Sequence, residues 1–93
     1  MNNVYKALSD PTRRKILELL REKDLSAGDL ANHFDLTKPT VSKHFIVLKE
    51  AELIHGLKQG TTIMYSLNVS VLEEALLALM NTFKIEGGDK NDS

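Results

Sequence analysis

Between Lys38 and Lys43 the chain gathers Lys38, Pro39, Thr40, Ser42 and Lys43, a set with two ammonium groups, two hydroxyls and no carboxylate. Lysine donates to guanine O6 or N7, and serine or threonine bonds to several bases, so this chemistry suits a nucleic-acid base edge. A second group is Lys58, Gln59, Gly60, Thr61 and Thr62. It surrounds a glycine whose bare backbone can approach a phosphate or the minor groove closely. Arg13 and Arg14 supply two guanidinium groups. One is expected to pair with an acidic residue, and either has the reach for a phosphate.

Other chemistries find no support. His33, His44 and His55 are far apart and lack acidic neighbours at ligand spacing, so they do not read as a metal cluster. There is no cysteine, which removes disulfides, thiolate metal sites and cysteine nucleophiles together. No nucleophile–base pair, carboxylate dyad or phosphate-binding glycine loop is evident. Gly87-Gly88 lacks a flanking strand and helix. The expectation is therefore a protein that is not an enzyme, with no cofactor and no metal.

The elements that must hold the polar groups are marked by their caps. Asn2 or Asn3 is expected to cap a short first helix with Val4, Tyr5, Ala7 and Leu8. Asp10-Pro11 opens the second helix, since Pro at the first position loses no hydrogen bond. Ile16, Leu17 and Leu20 share one face of it. Ser26 and Asp29 have the spacing of a capping box for the third helix, with Leu25 and Leu30 as its hydrophobic staple. After a break at Asp35-Leu36-Thr37, Thr37 caps a fourth helix whose inward face is Val41, Phe45 and Leu48.

The pattern then changes period. Leu53–Lys58 and Thr61–Leu67 read as two strands joined at Gln59-Gly60. Asn68 is expected to cap a last helix over about Val69–Lys84. That helix is apolar nearly all round, so it must be covered on more than one side. A chain of 93 residues cannot easily surround it alone, so a second copy is expected against it. The expected seam is Val4, Leu8, Leu72, Ala75, Leu76, Leu79, Met80 and Phe83. Residues 1–85 form one domain in this reading, and 86–93 form a polar, disordered tail.

The fold class is mainly α with a small β-hairpin wing: a winged helix-turn-helix of five helices and two main strands, in the order ααααββα. The major groove, about 12 Å wide, admits one helix, and the N-terminal residues of the second helix of such a motif reach base edges. A recognition helix at about 37–50 and a wing at about 53–67 follow. The net charge of −1 is low for a nucleic-acid binder and keeps a protein-interaction winged helix as a second reading. The charge is uneven, however: Pro11–Lys23 carries +3 and Glu86–Ser93 carries −2. No apolar run has membrane-spanning length and no signal-peptide core is present, so membrane insertion is not expected and the expected location is the cytoplasm.

The stretches Asp10-Pro11-Thr12-Arg13-Arg14-Lys15-Ile16-Leu17, Lys38-Pro39-Thr40-Val41-Ser42-Lys43-His44 and Leu48-Lys49-Glu50-Ala51, followed by a hairpin ending Tyr65-Ser66-Leu67, closely resemble the ArsR-type bacterial repressors. The resemblance runs from about Val4 to Ile85. The chain ends, including Ile85-Glu86-Gly87-Gly88, resemble the metal-independent SdpR type within that family. What the resemblance implies is a homodimer through the first and last helices, duplex DNA bound at an inverted-repeat operator, and repression. Metal-sensing members carry a cysteine pair where this chain has Leu25-Ser26-Ala27-Gly28-Asp29-Leu30, or histidine and acidic ligands on the last helix, where Val69–Lys84 has no histidine. A protein or small-molecule antagonist is the remaining kind of releasing signal. Asp35 stands where the family prefers glycine, and aspartate tolerates the left-handed backbone that the break needs.

Overall fold

The computed structural model describes residues 2–85. Its elements run α1 (Asn2–Leu8), α2 (Pro11–Glu22), β1 (Leu25–Ser26), α3 (Ala27–Phe34), α4 (Lys38–Glu50), β2 (Ile54–Gln59), β3 (Thr62–Leu67) and α5 (Val69–Phe83). The five helices and the hairpin are those expected. The proposed tail, 86–93, lies outside the described residues.

Three helix starts are fixed by the expected side chains. The carboxylate of Asp10 accepts from the backbone N–H of Arg13 at 3.0 Å. Ser26 and Asp29 exchange two hydrogen bonds of 3.0 Å each, a complete capping box. The hydroxyl of Thr37 accepts from the N–H of Thr40 at 3.4 Å. Two other caps differ from expectation. Asn2 and Asn3 lie inside α1 and do not precede it. Asn68 stands at the start of α5, but its side chain makes no capping bond. Its backbone N–H is instead held by the carbonyl of Leu53 at 2.8 Å, which closes the base of the wing.

Three of the five helices end with one device. Asp35, Glu52 and Lys84 follow α3, α4 and α5 with φ of 56°, 61° and 57°, the left-handed region. In each case the next residue's N–H reaches back five positions: Leu36 to Ala31, Leu53 to Leu48, and Ile85 to Met80. This is the Schellman arrangement, here built three times without glycine.

The strands form an antiparallel sheet in the order β1-β3-β2. β1 was not expected as a strand. Leu25 pairs with Tyr65 and Ser26 with Met64, so Ser26 both ends a strand and caps a helix. In the hairpin, Gln59 pairs with Thr62, which places the two-residue turn at Gly60-Thr61, one residue later than expected. Gly60 has φ +64°, and Thr61 is not among the positive-φ residues. A positive φ at the first turn position alone is the type II′ pattern, which favours glycine there.

The core lies between α2, α3, α4 and the sheet, with Val4 and Ala7 of α1 and Ala75 of α5 closing it. Ile16, Leu30, Val41, Leu48 and Leu53 are its largest fully buried side chains. Of the residues on α5, Ala75 is buried, and Val71 and Leu72 pack beside it. Leu76, Leu77 and Phe83 stay exposed, Phe83 to 68%.

Candidate nucleic-acid interface

The recognition helix α4 is seated by burial on one side only. Val41, Phe45 and Leu48 are buried, while Lys38, Pro39, Thr40, Ser42 and Lys43 are all exposed. The division follows from spacing: 41, 45 and 48 lie within one helical stripe, and 39, 42 and 43 fall opposite. The Thr40 hydroxyl is within 3.0 Å of the Thr37 hydroxyl, so it already has a local partner. Lys38, Ser42 and Lys43 remain as the donors that face outward.

Lys58, Gln59, Gly60, Thr61 and Thr62 are also exposed, at the hairpin tip. A cleft of about 350 Å³ links this tip to α4, lined by Gly28, Lys38, Thr61, Thr62 and Tyr65 among others. The two polar groups that lie far apart in sequence thus border a common surface.

Tyr65 orients the wing on the helix. Its ring lies 4.2 Å from that of Phe45, centroid to centroid. Lys49 Nζ sits 5.9 Å over the Tyr65 ring, within cation–π reach. On the opposite strand Gly56 faces Tyr65, and a Cβ there would meet Ile63 Cγ2 at 2.8 Å and Tyr65 Cε1 at 3.1 Å. The wing therefore needs glycine at 56 for close approach and at 60 for its turn.

Arg13 and Arg14 differ from expectation in their partners. Neither pairs with an acidic side chain among the described residues. Arg13 donates to the carbonyls of Ala7 and Lys6, both at 2.9 Å, and Arg14 donates to that of Leu8 at 2.7 Å. The carbonyls at the end of a helix lack intrahelical partners, and they attract positive charge. Arg13 Nη1 also lies 3.4 Å from Nδ1 of His44, on the edge of α4. Asp10 Oδ2 is 3.9 Å from the same histidine nitrogen. One junction thus ties α1, α2 and α4 together. The Arg13 backbone N–H, with help from the Arg13 charge, holds the Asp10 carboxyl below the ordinary carboxylate range. Sequence reasoning missed this junction. The Asp10–Arg13 spacing was visible, but the approach of His44, 31 residues away from Arg13, was not.

The other two histidines stand apart from it. His33 lies edge-on to Phe34 in α3, and His55 is exposed on β2. Among the described residues, no three potential metal-ligating side chains converge. In the expected seam, Val4 and Ala75 are buried within the chain itself. Both lie on faces that α1 and α5 turn toward their own core. Leu8, Leu72, Leu76, Leu79, Met80 and Phe83 keep at least part of their surface.

A short helix, a tight break, an outward-polar second helix and a glycine-turned hairpin define a winged helix-turn-helix regulator of transcription. Comparison with known proteins then narrows the class. The family of bacterial regulatory proteins called the arsR family matches residues 10–55. The chain is 52% identical over 81 residues to the transcriptional repressor SdpR of Bacillus subtilis, covering 87% of this chain and 90% of that one. It is 37% identical to the arsenical resistance operon repressor of Staphylococcus aureus, covering 88% and 81% of the two chains. Among solved structures, an ArsR-like transcriptional regulator from Rhodococcus superposes with a TM-score of 0.83 at 30% identity, covering 89% and 76%. The chain belongs to the ArsR family, whose members are transcriptional regulators and not enzymes. No helix among the described residues is long and apolar enough to cross a membrane.

Proposed function

We propose that residues 1–85 act as a homodimeric repressor that binds duplex DNA at an inverted-repeat operator. The observation that carries this reading is the outward face of α4, where Lys38, Ser42 and Lys43 present donors with no core role. In this reading α4 enters the major groove, and Lys38 and Lys43 donate to base edges. Lys58, Gln59, Gly60, Thr61 and Thr62 meet the flanking backbone or minor groove. Arg14, exposed on α2, is better placed for a phosphate than Arg13, whose guanidinium is committed to α1 and His44. The apolar residues that α5 leaves exposed form the seam, with Leu8 of α1 beside them. Leu76, Met80 and Phe83 recur at i, i+4 and i+7, the spacing of one helical stripe. Two copies related by a two-fold axis would place their α4 helices about 34 Å apart, one turn of DNA. Release falls to a protein or small-molecule antagonist.

An anisotropy titration tests the reading, using duplexes selected by the protein from a random pool. Saturable binding to an imperfect palindrome, weakening steeply between low and physiological salt, is the expected result. The net charge of −1 favours one competitor, a winged helix that binds protein. Absence of sequence-dependent binding at either salt concentration would select that competitor.

A further inference from the structure

We infer that Ile46 is a specificity-determining residue that recognises the C5-methyl group of a thymine in each operator half-site. The inference rests on the proposed insertion of α4 into the major groove. Ile46 is 54% exposed, although its neighbours on the buried side of α4 are nearly or fully enclosed. It follows Ser42 and Lys43 by four and three residues, so it continues their stripe one turn deeper into the helix. Nothing in the fold accounts for an isoleucine there. The core of α4 is completed by Val41, Phe45 and Leu48 without it. A β-branched residue also lowers helix propensity by a few tenths of a kcal/mol relative to the lysines and glutamates common on exposed faces. Burial does not offset that loss in the isolated chain.

The groove supplies the missing partner. Each base pair presents donors and acceptors in the major groove, but thymine alone adds an apolar methyl, and apolar side chains contact it. Lys38, Ser42 and Lys43 read polar atoms, and none of them distinguishes that methyl from empty space. Ile46 is the large aliphatic side chain on the outward face of α4. Beside it, Lys43 and Glu50 carry charge, which limits how far another apolar surface could spread over it. A single methyl group flanked by polar base edges matches that small apolar spot better than a broad protein surface does.

The test uses a duplex selected by the protein from a random pool. Each thymine of the half-site is replaced in turn by deoxyuridine, which removes the C5-methyl and leaves every hydrogen-bonding atom. For the wild-type protein, one position per half-site should weaken binding about fourfold, and replacement in both half-sites about sixteenfold. Ile46→Ala should bind the thymine and deoxyuridine duplexes alike, with unchanged thermal stability because the side chain is exposed. Ile46→Val should keep part of the preference. Three results overturn the inference. They are a selected half-site without thymine, a wild type that tolerates every deoxyuridine, and an Ile46→Ala variant that keeps the wild-type preference. In each of these the protein still binds its duplex tightly, which separates them from failure of the DNA-binding reading. If no duplex is bound with sequence preference, both readings fall.

Discussion

Asp10 caps α2, and its carboxylate is held ionised by the Arg13 N–H that it accepts from. A depressed carboxylate contributes stability that is complete above its unfolded value, about 3.9, and is lost as pH falls through the lower folded value. Asp10→Ala should therefore cost about 1 kcal/mol at neutral pH, measured by urea unfolding. Asp10→Asn should keep most of the cap at neutral pH and flatten the acid limb of the stability curve. An unchanged acid limb in Asp10→Asn would show that other carboxylates govern it. On the DNA-binding side, Lys43→Ala should weaken operator binding by about 1–3 kcal/mol if the side chain reads a base, as titration would show. Unchanged affinity would remove Lys43 from the reading set. The Asp10 cap and the exposure of Lys43 were both legible in the sequence, because a short acid before Pro11 and a lysine opposite Val41 declare themselves locally. The partners of Arg13 were not. A guanidinium can satisfy itself on carbonyls as well as on carboxylates, and only the packing of α1 against α2 decides between them.

At the scale of elements, helix starts were more legible than helix stops. Asp10, Ser26 and Thr37 cap through side-chain oxygens that precede apolar stripes. The stops depend on backbone conformation, and Glu52 and Lys84 give no compositional warning of a left-handed residue. Such a backbone costs a non-glycine residue about 1–2 kcal/mol, and glycine's larger unfolded-state entropy cancels part of the gain from replacing it. Glu52→Gly should stabilise the protein by about 0.5–1 kcal/mol in thermal or urea unfolding. A destabilised Glu52→Gly would mean that the glutamate side chain has a role of its own. Asp35→Gly should gain less, since aspartate enters this region more readily. The wing makes the opposite demand. Gly56→Ala would drive a methyl into Ile63 and the Tyr65 ring, and should cost about 1–3 kcal/mol by overpacking. The hairpin was legible from its alternation, but its turn was displaced by one residue, because Gly60 serves as the first turn position and not the second. β1 escaped notice because two residues carry no period; Leu25 and Ser26 become a strand only when Tyr65 and Met64 lie beside them.

For the whole molecule, the net charge of −1 understates how its donors are grouped, since Lys38 of α4 and Thr61 and Thr62 of the hairpin tip line one cleft. The apolar excess of α5 was legible as a need for cover, whereas its division between core and surface was not. Composition cannot say that Val4 and Ala75 turn inward. The proposed seam predicts a dimer in sedimentation equilibrium, and Leu76→Glu should yield a monomer with unchanged far-UV circular dichroism. A variant that stays dimeric would place the seam elsewhere. The Arg13 guanidinium fastens the last turn of α1 and reaches His44 on α4, the proposed recognition helix. A protomer joined this way has little slack between α1 and α4. In the proposed dimer, two such protomers would form a caliper with stiff arms: the opening between its points would be set at the pivot, and a rotation of a few degrees there would spoil the fit to DNA without deforming either arm.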